Sequence, residues 1–287
     1  MKKLLGAIAL MVGAVVAPAT VAAAEAGIPL ERAPKSVSDL AALQAGARVF
    51  VNQCLNCHSA SAVRYSDLRQ IGLTDEQIQN NLVFSGETVN DLMKIAMHPA
   101  DAARWLGVAP PDLSLMARAK SVNAGPSGSD YIYTFLRSFY RDAGKLTGWD
   151  NLVFPSVGMP HVMWELQGPR ELTKTEVHPV ETAAGEATGD WERVVTKYDA
   201  DGYSVVTRET VARPVQGAYA NYDFTPLDVR KSQAYDNQVA NLTAFLTWMS
   251  EPNQAERRRL GVWVLLYLGL FLVIAWRLNA VYWKDVK

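Results

Sequence analysis

Only two cysteines occur in this chain, three positions apart and followed at once by a histidine: Cys54-Leu55-Asn56-Cys57-His58. A redox dithiol of this spacing opens a helix in a βαβ setting. Here the pair ends a helical stretch, and no parallel strands are readable around it. A structural zinc ion needs about four ligands. Only His98, His161 and His178 remain as further histidines, and no second cysteine pair exists. Covalent haem attachment needs just this arrangement: two thiols to trap two vinyl groups as thioethers, and an adjacent imidazole to reach the iron. The motif therefore reads as the anchor of one haem c, with Cys54 and Cys57 on the porphyrin and His58 on the metal.

The two ends of the chain say where such a site would reside. The N-terminus "MKKLLGAIALMVGAVVAPATVAAAEAG" has a charged start, an apolar run and a small-residue end. It reads as a secretory signal peptide over residues 1–24. Residues 260–276 are uncharged and almost wholly apolar, and as a helix they span about 26 Å. With Trp263, Trp276, Tyr282 and Trp283 at interfacial positions, residues 257–280 read as one transmembrane anchor. The expected layout is a bacterial inner-membrane protein with an exported domain over 25–256 in the periplasm and a cytoplasmic tail over 281–287. Arg257, Arg258 and Arg259 fall on the exported side, against the usual bias of basic residues. A translocated domain of this size moves largely regardless of flanking charge.

Divided in this way, the charge becomes informative. Residues 25–256 hold 20 basic against 28 acidic side chains, a balance of −8. That excludes nucleic-acid binding through a basic face and favours a basic protein partner.

Within the exported part, "SVSDLAALQAGARVFVNQ" reads as a helix capped by Ser36 or Ser38 and running into Cys54. "LTDEQIQNNL" carries a capping box of Thr74 and Gln77. "GVAPPDLSLMARAK" is a Pro-rich bend before a short helical piece. "SGSDYIYTFLRSFYRDAG" is an amphipathic helix with Ile132, Phe135, Leu136 and Phe139 in one stripe and Gly144 at its end. "VFPSVGMPH" is a loop. Residues 171–215 are β-rich, with a hairpin turn at Asp199-Ala200-Asp201-Gly202. "QAYDNQVANLTAFLTWMSEP" is a helix with Val239, Leu242, Phe245 and Met249 on one face, stopping before Pro252. The fold class is mainly α: a c-type haem domain with a small β excursion and one C-terminal transmembrane helix.

A second iron ligand would set the class of function. A methionine suits electron transfer, whereas an open site suits oxygen or peroxide chemistry. Of eight methionines, Met93, Met97, Met116 and Met249 fall in helical patterns and read as core filler. Met159 lies between Gly158 and Pro160 in a rigid loop, where packing explains it poorly. Met163 and the nitrogen of His161 are the competing donors.

The stretches "CLNCHSASAVRYSDL", "APPDLSLMARAK", "SDYIYTFLRSFY", "LVFPSVGMPHVM" and "VANLTAFLTWMSEPNQAERRRLGVWVLL" occur in that order. Together they resemble the cytochrome c1 family, the haem-carrying subunit of ubiquinol–cytochrome c oxidoreductase (the bc1 complex). The resemblance implies that Met159 is the distal ligand to the iron held by His58. It implies that the carbonyl of Pro111 accepts the imidazole N–H of His58, and that Arg118, Lys120 and Tyr131 lie by the haem propionates. Lys120 departs from the arginine common at that place and supplies a point charge in place of a planar fork. The implied partners are cytochrome b, a Rieske iron–sulfur protein as donor, a soluble or membrane-bound cytochrome c as acceptor, and the lipid bilayer, in a dimeric complex. The chain would be the electron relay of an oxidoreductase, with no substrate-bond chemistry of its own. The alternatives are a haem subunit of a terminal oxidase, or a haem peroxidase or gas sensor with an open distal site.

Overall fold

The computed structural model describes residues 28–284, apart from 35, 124 and 182–186. The leader expected over 1–24 lies outside the described residues. The first helix, α1 (Leu40–Val49), begins at Asp39, not at Ser36 or Ser38. Asp39 holds extended backbone directly before the helix, and its carboxylate accepts from the N–H groups of Ala41 and Ala42 at 3.0 and 3.3 Å. After Val49 the helix widens into a π-turn, Phe50–Cys54, closed by Leu55 N–H to Phe50 O at 3.0 Å. Single π-turns of this kind mark functional segments, and this one delivers Cys54.

Helix α1 packs across α7 (Val229–Ser250). The crossing is close because position 46 is glycine. A methyl there would overlap the carbonyl oxygen of Asn241 and lie 2.7 Å from the Cβ of Phe245. Around the crossing, Leu43, Ala47 and Phe50 bury against Val239, Leu242, Phe245 and Met249. The rings of Phe50 and Phe245 stand 5.6 Å apart. The stripe read from the sequence of α7 is thus its buried face.

Between these helices come β1 (Ala60–Arg64), a 3-10 segment (Tyr65–Ile71), α2 (Asp75–Asn81), β2 (Leu92–Met93), α3 (Pro99–Leu106), α4 (Met116–Ala119) and α5 (Gly128–Arg137). The Thr74–Gln77 capping box is present at the start of α2, and Ser127 with Asp130 forms another at α5. Met93 therefore lies on a strand and Met97 in the loop before α3, not in helices.

Helix α5 is shorter than its apolar stripe implies. It stops at Arg137, and Gly144 does not cap it. The side chain of Asn151 reaches back, its Nδ2 donating to Phe135 O at 2.7 Å while its Oδ1 accepts from Ser138 Oγ at 3.0 Å. Phe139 keeps its place in the core but does so from β3 (Phe139–Arg141), paired antiparallel with β4 (Trp149–Asn151). Tyr235 of α7 ties the same corner, donating its hydroxyl to Leu136 O at 2.7 Å.

After the short α6 (Trp164–Gln167), the β excursion proves to be a four-stranded antiparallel sheet. It comprises β5 (Arg170–Glu181), β6 (Ala187–Tyr198), β7 (Ser204–Val211) and β8 (Tyr219–Pro226), in the order β7-β6-β5-β8. The turn at 199–202 links β6 to β7. Gly202 has φ +94°, and its carbonyl accepts from Ala143 N–H at 2.9 Å, so the hairpin tip docks on the β3–β4 turn. Leu172, Tyr198, Tyr222 and Phe224 complete the junction around Tyr140 and Leu152.

Helix α8 (Gln254–Tyr282) follows a break at Pro252. It is long and apolar enough to cross a membrane, and none of that apolar stretch is buried against the rest of the protein.

The α1–α7 crossing yields a stability prediction. Gly46→Ala forces the two helices apart and should cost about 1–3 kcal/mol, read as a lowered thermal midpoint of the detergent-purified chain. Gly144→Ala, whose methyl would meet only the Asp142 carboxylate at 3.2 Å, should change stability by no more than about 0.5 kcal/mol.

Candidate haem site

The π-turn places Cys54 in the core and leaves Cys57 half-buried on the turn that follows. Cys57 and His58 N–H groups both bond to Cys54 O, at 3.1 and 2.9 Å. Burial, and then the neighbouring Cys57, push the Cys54 thiol up to about 12. A redox dithiol works through a thiolate of depressed pKa, and this site does the opposite: it holds a neutral thiol in an apolar setting. Nor do three metal-donor side chains gather anywhere among the described residues. His98 caps α3 and His178 lies out on β5.

His58 is fixed by a backbone partner. Its Nδ1 lies 2.7 Å from the carbonyl oxygen of Pro111, so Nδ1–H donates and Nε2 keeps its lone pair. Burial lowers the pKa of the ring, with the Pro111 bond and the Asp112 charge acting the other way. The neutral, ligating form is favoured.

The Pro111 carbonyl is held by a set of bonds that the sequence reading did not single out. Asp112 Oδ2 accepts from Ser61 N–H at 2.8 Å and Ser61 Oγ at 2.6 Å, while Oδ1 accepts from Ser114 N–H at 2.8 Å. Ser114 Oγ accepts from Ala62 N–H at 3.0 Å, and Leu113 N–H donates to Ser59 O at 2.8 Å. Burial works against the Asp112 carboxylate, but the bonds from Ser114 and Ser61 win and hold its pKa below the ordinary value. An Asp that accepts from the N–H two residues on forms an Asx turn. That signal was legible in Pro110-Pro111-Asp112-Leu113-Ser114; its partner Ser61 was not.

Among the donors considered for the far side of the iron, the structure separates loop residues from core residues. Met163 is 1% exposed and packs in the main core with Met93 and Met249. His161 is 2% exposed, and its Nε2 is engaged with Gln167 Oε1 at 3.1 Å. Met159 is half-buried in a loop without regular structure, and so is Met97. Met97 lies close in sequence to Ile95, whose N–H bonds to Ser59 Oγ at 3.1 Å, next to His58. The Met159 loop approaches the Pro111 segment from elsewhere: a methyl added at Gly158 would lie 3.6 Å from Val108 Cγ1.

Arg118 and Lys120 are exposed at the end of α4. The Lys120 ammonium sits 4.7 Å over the ring of Tyr131 in α5. Among the described residues, no hydrogen bond or ring contact joins Arg118, Lys120, Tyr131 or Met159 to the His58–Pro111 pair.

The donor set fits a haem c. It offers two thiols for thioether bonds, an imidazole with one nitrogen already committed, and a thioether in the loop whose Gly158 approaches Val108. The apolar surroundings fit as well. Trp105, Leu106, Val108 and Leu115 flank the Pro111 bend, and Phe154, Val162 and Trp164 flank Met159, all exposed. Large apolar side chains concentrated in the site loops are what the flat faces of a porphyrin cover.

The chain matches the Cytochrome C1 family over residues 32–166 and 212–286. It is 36% identical over 271 residues to cytochrome c1 of Allochromatium vinosum, covering 94% of this chain and 95% of that one. It is 33% identical over 259 residues to the ammonia monooxygenase gamma subunit of Nitrosomonas europaea, covering 90% and 89%. It is 25% identical over 268 residues to cytochrome b/c1 of Bradyrhizobium diazoefficiens, covering 86% of this chain and 34% of that longer protein. With its thiol pair, its oriented imidazole and a family match over most of its length, the chain belongs to the cytochrome c1 family, the membrane-anchored subunits that carry a covalent haem c for electron transfer in the bc1 complex with cytochrome b.

Proposed function

We propose that this chain takes single electrons from a Rieske iron–sulfur protein and passes them to a soluble or membrane-bound cytochrome c, within a dimeric complex. The observation that carries the reading is the 2.7 Å bond from His58 Nδ1 to Pro111 O, directly behind the thiol pair. It fixes the ring and its tautomer and raises the basicity of Nε2, as carbonyl partners do for ligating histidines. Cys54 and Cys57 would hold the porphyrin, with His58 and Met159 on the iron. When bound, the haem supplies a one-electron iron couple, and a thioether ligand shifts that couple to higher potential. Such a site suits receipt of electrons from an iron–sulfur centre. Arg118, Lys120 and Tyr131 would face the propionates. Residues 1–24 are the leader, 25–256 the periplasmic haem domain, 257–280 the anchor and 281–287 the cytoplasmic tail of a protein of the bacterial inner membrane.

The subunits that leave the membrane with the chain test the assembly. A detergent-purified complex should contain cytochrome b and a Rieske cluster. Purification with an ammonia monooxygenase, the enzyme in the printed name of the Nitrosomonas relative, would overturn the reading.

Covalent attachment is read by haem staining of denaturing gels. Cys54→Ala or Cys57→Ala should lower the stain, and the double variant should lose it. Full stain in the double variant removes both thiols from the site.

The distal ligand is read by carbon monoxide. Met159→Leu should keep the haem, bind carbon monoxide readily when reduced, and lower the potential. Met163→Leu and Met97→Leu should also keep the haem, without the carbon monoxide binding or the lowered potential. An open site in either control, with Met159→Leu silent, transfers the ligand role.

The balance of −8 over residues 25–256 predicts steering of a basic acceptor. Raising the salt from about 0.1 M to 1 M, which shortens the screening length from roughly 10 to 3 Å, should slow oxidation by a basic cytochrome c at least about tenfold in stopped flow. A flat rate rules out electrostatic docking.

A further inference from the structure

We propose that His161 is a positioning residue for Met159, acting as the downstream anchor of the loop that presents the thioether; the inference rests on Met159 as the distal ligand. The loop after β4 is tied firmly at its upstream end. Asn151 Oδ1 accepts from Val153 and Phe154 N–H at 2.9 and 3.1 Å, and Asp150 Oδ1 accepts from Ser156 N–H at 2.6 Å. Lys145 Nζ bridges Asp150 Oδ2 and Ser156 Oγ at 3.0 and 2.9 Å. Ser156 takes a left-handed backbone, φ 59°, where the chain turns. Beyond it the bonds stop: among the described residues, no backbone N–H of Val157, Gly158 or Met159 makes a hydrogen bond.

What fixes the loop downstream is the His161 ring. Its face stacks on Phe139 of β3 at 4.8 Å and 3°, and the rings of Trp149 of β4 and Tyr235 of α7 meet it edge-on at 5.0 and 5.9 Å. Gln167 holds its Nε2, and Trp164 N–H closes a turn onto its carbonyl at 3.2 Å. Four elements thus grip one side chain, and Tyr235 is itself bonded to the end of α5. Extended chain advances at most about 3.6 Å per residue, so the Cα of Met159 lies within roughly 7 Å of that of His161. A shift of the ring passes to the methionine with little slack.

A role in core packing alone is poorly served by histidine. The ring is 2% exposed, and burying its polar nitrogens costs free energy that an apolar side chain of that size would not. Its polar partner Gln167 sets its rotation, which a packing residue does not need. Ligand sites need placement within about 0.5 Å, and that is what a gripped ring supplies to residues 157–159, whose backbone N–H groups make no hydrogen bonds among the described residues.

The test uses the full-length chain in detergent, with His161→Ala, His161→Phe and Met159→Leu compared at equal covalent haem content. The readouts are the near-infrared methionine–iron band of the oxidised form, carbon monoxide binding by the reduced form, and the midpoint potential. His161→Ala should lose at least about half of the band and bind carbon monoxide about tenfold faster, with a lowered potential. His161→Phe, which keeps a ring on Phe139, should return the band and the carbon monoxide rate to within about twofold of the parent. If His161→Ala does not accumulate, His161→Leu fills most of the space without a ring face and should show the same loss. A parent-like band in the accumulating variant that lacks the ring, with Met159→Leu lacking the band, overturns the positioning role alone. A parent-like band in Met159→Leu overturns the ligand assignment and this inference with it.

Discussion

The crossing of α1 and α7 at Gly46 is the contact on which the site depends. The glycine lets the two backbones meet, and the apolar side chains above and below it fill the space that the approach closes off. From that crossing α1 runs directly into the π-turn and the thiol pair, while α7 leads through Pro252 into α8. One helix pair therefore joins the cofactor anchor to the membrane anchor. Helix α7 also holds Tyr235 and Asp236, which tie the end of α5 through Leu136 O and Arg137.

Around this frame the chemistry sits on loops, and the loops are organised by side chains bonded to backbone. Asp112 orders the Pro111 bend, and Asp150 with Asn151 orders the start of the methionine loop. In each case a carboxylate or amide side chain, exposed at Asp112 and buried at Asp150 and Asn151, satisfies several N–H groups that no ladder or helix serves. Such groups are costly to leave unpaired, so each bonded turn is a defined conformation, not an average over many.

The four-stranded sheet stands apart from this scheme. The family match stops at 166 and resumes at 212, so β5, β6 and β7 fall in the gap while β8 falls inside the match. The sheet joins the haem domain through the Tyr140, Tyr198 and Lys174 contacts and the Gly202 tip, at the β3–β4 hairpin. It also reaches the helical part through Arg170 of β5, which donates to the carbonyl of Arg137 at the end of α5 at 2.6 Å.

The sequence alone determined whatever depends on local pattern. The Cys54-Cys57-His58 spacing, the capping box of α2, the buried stripe of α7, the hairpin turn before Gly202 and the apolar length of α8 are each properties of a short stretch, and neighbours in sequence decide them. Tertiary structure decided what depends on a partner far along the chain. Phe139 has the spacing of a helix stripe, yet Asn151 captures the end of α5 and turns the residue into a strand. Met93 looked like helix filler and pairs instead with Ala60. The same holds for the donors: Met159, His161 and Met163 are close neighbours in sequence, and only packing buries two of them and leaves the first in the loop. Helical periodicity reports which residues want burial; which element carries them there is settled by hydrogen bonds between residues that the sequence keeps apart.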